Sequence, residues 1–297
     1  MILALALLGV GLVAPYALRR TARHTSPALV VAAHMAGLTL AWLGLIDLIS
    51  VWAMPEHGLL GLCRAAFVPP HDVSELPGDA LLLLGTTALA GRALWTMAAT
   101  YRAVCRARRR ISASEHHSAD GLTFAQLGTV ACTVGFLRPQ ILLDSARFAA
   151  LTVAQQRAVI AHEHNHARRW HAVVDLVARG LAAGLAPWPG APLAYGEIRR
   201  HLEAAADDWA ARHTSPRDVA TAIVQAALAS RPAIGLGAAG WAVWRVDRLL
   251  SPRPRRLRHA LIALTLVGLT VVAVAQLSGH AVTGVHLLPP PLPCCTG

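Results

Sequence analysis

Charge is what this sequence has least of. Asp, Glu, Lys and Arg make up 14% of its 297 residues, where soluble domains carry about 25%. That scarcity argues against an ordinary water-soluble domain, and a hydrophobic fraction of 55% points to a membrane protein. Aromatics are also few, with eight Trp, four Phe and three Tyr, and the abundant Ala and Leu suit helices better than strands. The five cysteines show no metal-ligand spacing, and no internal repeat is visible. What charge there is leans one way: the formal net charge is +11 and comes almost entirely from Arg. Nucleic-acid binding or arginine clusters flanking membrane spans would each explain that excess, and placement decides between them.

Four apolar stretches reach or approach spanning length: Ile2–Leu18, Leu29–Met54, Ala80–Val104 and Ala260–Leu277. About 20 apolar residues cross a hydrocarbon core. The first stretch has its arginines after the apolar run rather than before it, so a retained span is expected instead of a signal peptide. Arg19–Arg23, Arg102–Arg110 and Arg245–Arg258 fall on one side of this map, and the acid-rich loop Pro55–Asp79 falls on the other. The positive-inside rule then places both termini outside and residues 105–257 in the cytoplasm. Arginines ordered so consistently about the spans argue against direct nucleic-acid binding. Cys63, Cys294 and Cys295 would lie outside, where Cys63 could pair with either of the other two or with neither.

Beyond Asp120 the character changes. Val130–Val134 and Ile141–Leu143 are β-prone runs around Pro139 and suggest a small hairpin. Thr152, with Gln155 three residues on, forms a helix-start signal. The helix that follows contains AVIAHEHNHARRW, and within it HExxH: His162, Glu163 and His166. Histidines at i and i+4 lie on one helix face, so both can reach one Zn²⁺. Glu163 lies beside that face, where it can take a proton from the attacking water and pass it to the leaving amine. His164 and His171 fall off the ligand face and are expected at the surface or in support.

A catalytic zinc takes a third protein ligand. EIRRHLEAAADDWAARH offers Glu203 and, one turn on, Asp207. Glu203 would complete a His₂Glu set, while Asp207 would accept a proton from a ligand histidine and fix its tautomer. An ordinary acidic helix face is the alternative; the lack of a similarly spaced Lys opposite the pair favours ligation. Ala204–Ala206 are small enough for the two helices to approach closely. For the residue that would hold the oxyanion, Arg200, Arg212 and His213 are unranked candidates.

The order of a hairpin, DSARFAALTVAQQRAVIAHEHNHARRWH, HLEAAADDWAARH and WRVDRLLSP before a last apolar span resembles the BlaR/MecR family of integral-membrane antirepressor metallopeptidases, in its actinobacterial forms. The resemblance covers most of residues 100–278. It implies His162, His166 and Glu203 as zinc ligands, Glu163 as general base and acid, and Asp207 as a supporting partner. It further implies a cytoplasmic metallopeptidase domain whose substrate is a winged-helix transcriptional repressor. One departure stands out. Only His280–Gly297 follow the last span, too few for the penicillin-binding sensor of the best-known members, so any sensing would use the Pro55–Asp79 loop, the tail or a separate sensor partner.

The expectation is thus a mostly α integral membrane protein with four transmembrane helices and an inserted α+β zinc metallopeptidase domain of the gluzincin type. Its parts would be a three-helix membrane region at 1–104, the cytoplasmic domain at 105–257, a fourth span at 258–278 and a short tail at 279–297. Other functions to weigh are an HtpX-like quality-control protease of membrane proteins and a catalytically silent receptor or scaffold. Arg92, in the middle of the third span, is expected to snorkel rather than pair with Asp47. Ala172–Trp188 is expected as a buried core helix rather than one dipping into the membrane.

Overall fold

The computed structural model describes residues 2–21, 25–53, 76–113, 117–119, 122–229, 236–251, 261 and 264–270. Most of the Pro55–Asp79 loop, Cys63, Cys294 and Cys295 lie outside the described residues, and so does the disulfide expectation. The described chain is mostly helical with one small sheet.

Helices α1 (Ile2–Thr21) and α2 (Pro27–Ala53) form an antiparallel pair in backbone contact. Gly44 makes that contact, since a Cβ there would sit 2.7 Å from Leu8 Cα; Gly11 does the same against Ala41. Helix α2 is the centre of the bundle, and its Val30, Ala33, Leu38, Leu40, Ala41 and Trp42 are all buried. A helix apolar on every side belongs inside a protein or a membrane. Over Pro27–Ile49, 23 residues with mean hydropathy 2.0, α2 is the one helix among the described residues long and apolar enough to cross a bilayer. The apolar part of α1, Leu5–Arg19, is shorter. Helical residues 264–270 lie against this pair: Leu266 packs with Leu7, Ala14 and Leu40, and the Thr270 hydroxyl is 3.4 Å from Ala36 O.

Helix α3 (Leu76–Ala113) runs unbroken for 38 residues. The boundary expected between residues 104 and 105 therefore falls inside a continuous helix. Leu84, Leu94 and Trp95 stand exposed on its outer side, as does Arg92. Beyond α3 come β1 (His117–Ala119), β2 (Leu122–Ala125), β3 (Ala131–Val134) and β4 (Gln140–Asp144), in the spatial order β1-β2-β4-β3. The expected hairpin is β3–β4, antiparallel with Cys132 opposite Leu142. The short strands β1 and β2 were not expected, and β2 pairs in parallel with β4. Asp144 ends the sheet by accepting from the Leu127 and Arg147 amides and starts the short helix α4 (Ser145–Ala149).

Five further helices complete the fold: α5 (Val153–Arg168), α6 (His171–Gly184), α7 (Gly190–His213), α8 (Pro216–Ala229) and α9 (Leu236–Leu250). Ala172–Trp188 was expected as a core helix, and α6 buries Ala178 and Ala182 in a core it shares with α2 and α3. Gly180 and Gly184, one turn apart on α6, let it seat closely against Ala93 and Met97 of α3 and, at its far end, against Trp42 and Leu89. Trp42 Nε1 donates to Leu181 O at 3.0 Å. Ala191, Ala194 and Ile198 of α7 join the same core with Val31 and Leu38 of α2. The α6–α7 hairpin thus reaches the middle of the two apolar helices, and the helix carrying Glu203 is rooted there.

Candidate metal centre

Helix α5 begins at the expected cap. The Thr152 side chain accepts from Gln155 N, and Gln155 Oε1 accepts from Thr152 N at 2.9 Å, a complete capping box. Ten residues on, His162 and His166 share a face with their Nε2 atoms 3.0 Å apart. Across from them α7 brings Glu203, whose Oε2 is 3.5 Å from His162 Nε2 and whose Oε1 is 3.5 Å from His166 Nε2. The helices approach this closely because Ala158 of α5 and Ala204, Ala206 and Ala210 of α7 are small and buried. At a Zn–N distance of about 2.0–2.1 Å, tetrahedral ligands stand about 3.3 Å apart. The three donors already form a triangle of that size.

The far nitrogens of both histidines are occupied. His162 Nδ1 is 3.0 Å from Asp207 Oδ1, and the Asp207 side chain is 0% exposed. His166 Nδ1 is 2.9 Å from His171 Nδ1. His171 is brought back to the site by Trp170, the one non-glycine residue with positive φ (56°) among those described; it breaks the helix between α5 and α6. Each imidazole therefore has its Nδ1 engaged away from the centre, which leaves Nε2 facing it. Glu163 stands against the edge strand β3, with the Thr133 hydroxyl 2.7 Å from its Oε2 and 3.0 Å from its backbone O.

Electrostatics follow from burial and pairing. Burial alone would lower His162, but its hydrogen bonds to Asp207 and Glu203 prevail and raise it to about 10. Burial and the field of His162 push His166 down to about 3, and burial lowers His171 to about 4. Glu163 is raised, chiefly by burial. Burial works against the charged forms of Glu203 and Asp207, yet His162 and Arg245 hold both below their usual range.

These groups open into a cavity of about 950 Å³ bounded by β3 and by helices α5 to α9. Its walls change character along their length: Val219, Ala222 and Ile223 make one side apolar, while Asp175 and Arg199 lie one turn beyond His171 and Glu203.

No protein family, curated protein or solved structure matches this chain.

All five residues singled out from the sequence, His162, Glu163, His166, Glu203 and Asp207, line this one cavity, and the first, third and fourth form the metal-competent group. His164 is exposed, as expected, whereas His171 is a buried support. The three oxyanion candidates lie elsewhere. Arg200 pairs with Glu197 at 3.6 Å and covers Trp244, Arg212 covers Trp209, and His213 binds Trp209 O. The cavity's arginine beside the acids is Arg245, which sequence reasoning counted only as a topology charge. Thr133 was also missed, because a hydroxyl in a short strand carries no signal until that strand is seen beside α5.

Proposed function

We propose that this chain is a membrane-anchored zinc endopeptidase with His162, His166 and Glu203 as metal ligands and Glu163 as the general base and acid. The observation that carries the reading is the convergence of three donor atoms at ligand spacing, with a buried carboxylate beside them. A bound zinc ion would supply Lewis acidity to the scissile carbonyl and to water. The residues do the rest. Asp207 and His171 hold the two imidazole tautomers, and Thr133 holds Glu163 next to the ligand helix. Burial raises the proton affinity of Glu163, which suits a group that takes a proton from water and delivers it to the leaving nitrogen. Strand β3 ends the sheet on the cavity side, so an extended peptide can add to its free edge.

The membrane arrangement belongs to the same proposal. The arginine pattern supports four spans with the metal centre on the cytoplasmic side and the tip of the α6–α7 hairpin reaching in between the apolar helices to Trp42 and Leu89, and the apolar length of α2 supports an anchor. The resemblance to BlaR/MecR-type antirepressors supports a gluzincin-type domain acting on a winged-helix repressor in a signalling response. The test is zinc content and cleavage of a repressor or of casein by the full chain in detergent, for wild type, Glu163→Ala and Glu203→Ala. Zinc retained with cleavage lost in Glu163→Ala, and zinc lost in Glu203→Ala, is the expected pattern. A wild type that holds no stoichiometric zinc, or a Glu163→Ala variant that cleaves normally, overturns it.

A further inference from the structure

Arg245 belongs neither to the HExxH helix nor to the acidic helix; it comes from α9, 38 residues beyond Asp207 in the chain. Its Nε and Nη2 take the two oxygens of Asp207 at 2.8 and 2.6 Å, and its Nη1 stands 2.9 Å from Glu203 Oε2. Arg248, three residues on, reaches Ala204 O at 2.7 Å and the Asp208 carboxylate. Two arginines on one face of α9 therefore grip successive positions along one turn of α7.

We infer that Arg245 is a positioning residue of the metal centre, holding Glu203 and Asp207 in the orientation in which a divalent cation is taken. The inference rests on the metal reading proposed above. The physical case has two parts. A guanidinium is a planar fork whose N–H groups point in fixed directions, so one side chain can orient two carboxylates at once; a lysine ammonium cannot. Charge is the second part. Arg245 is the cation that faces both carboxylates, so its charge stands between the two acids and offsets their repulsion. Without Arg245, the buried Asp207 would keep its contact with His162 but lose its bidentate partner, and the link that fixes Glu203 relative to it would be gone. Because α9 carries the guanidinium, the centre is complete only when α9 is docked on α7.

The test uses the full chain in detergent: wild type, Arg245→Gln, Arg245→Lys, Asp207→Asn and the double variant Asp207→Asn/Arg245→Gln. The double variant removes the buried charge together with its partner and is read against Asp207→Asn alone, so the further loss on removing Arg245 keeps the question answerable if Arg245→Gln fails to fold. Zinc affinity is read by competition with a chromophoric chelator, the visible bands of the cobalt-substituted protein report ligand geometry, and thermal midpoints report folding. Supporting groups around metal ligands typically contribute 10–100-fold in affinity. Arg245→Gln is expected to bind zinc at least 10-fold more weakly than wild type and the double variant to show a further loss beyond Asp207→Asn, both with altered cobalt bands, and Arg245→Lys to recover only part of the loss. Zinc affinity and cobalt bands within twofold of wild type in a folded Arg245→Gln, or of Asp207→Asn in a folded double variant, overturn the inference, as does full recovery by Lys. If wild type itself takes no zinc, the metal reading fails and the inference goes with it; if wild type takes zinc and the variants match their references, only the inference fails.

Discussion

On the proposed zinc reading, the ion should enter this site by displacing a proton, and the displacement would set how affinity depends on pH. His162 is held charged up to about pH 10 by Asp207 and Glu203, while His166 stays neutral down to about pH 3. The metal needs Nε2 of both. Between those limits zinc binding therefore releases one proton, from His162, and its apparent affinity rises tenfold for each unit of pH. At pH 7 a His162 value of about 10 means that about 4 kcal/mol of the intrinsic zinc affinity is used to remove that proton. Calorimetric titration of zinc at pH 7.5, in buffers of different ionisation enthalpy, should report close to one proton released. Competition against a chelator of known pH dependence should give a slope near one from pH 6.5 to 8.5. Asp207→Asn removes the charge that holds the proton, so its slope should flatten above pH 7 even as its limiting affinity falls. A wild-type slope near zero, or an unchanged slope in Asp207→Asn, would refute the claim that this pair holds the proton.

Three more outcomes are expected. Thr133→Val should lower kcat about 10-fold with KM and zinc content unchanged and move the acidic limb of the pH profile, while Thr133→Ser restores both; unchanged profiles would remove Thr133 from any role in holding Glu163. Gly44→Leu forces a side chain into the Leu8 backbone and should cost at least about 1–3 kcal/mol, seen as a lower thermal midpoint in detergent. Acidification should destabilise the metal-free protein between pH 6.5 and 4, because unfolded His166 and His171 take protons that the folded chain refuses. Their contribution is complete above about 6.5 and lost as pH falls towards 4, and a midpoint flat over that range would contradict their burial.

The site was largely legible in the sequence because its chemistry is local. His162 and His166 share a face by helical period alone, and Glu203 and Asp207 do likewise, so two short strings contained nearly every donor. What could not be read was what reaches the site from a distance. Arg245 looked like one more positive-inside charge, and only the docking of α9 on α7 shows it spent on Asp207 and Glu203. His171 is off the ligand face in an ideal helix; the left-handed turn at Trp170 returns it to His166. The fold divided the same way. The β3–β4 hairpin announced itself through β-branched runs about a proline, whereas β1 and β2, of three and four residues, were too short to carry a pattern. That α6 is a core helix could be read from its apolar run, but which helices it packs on could not, because apolar composition cannot tell one core from another. Gly180 and Gly184, which seat it on Met97, Trp42 and Leu89, have meaning only against those partners.

The α6–α7 hairpin turns the protein into a gauge of height. Its tip lies level with Trp42 and Leu89, and Glu203 is 13 residues up α7 from Gly190, about 20 Å along the axis. The sheet is pinned at a matching elevation by Tyr101 stacked on Phe136 and by Arg108 bound to Gln140. On the proposed membrane placement, the metal centre would then sit near the level of the lipid headgroups. Reach becomes a filter in its own right: a bond would be eligible when its parent chain can lay an extended stretch along the bilayer surface, whatever its side chains. A soluble target would have to bend a loose segment down to that plane, and a tethered one would be measured from its anchor.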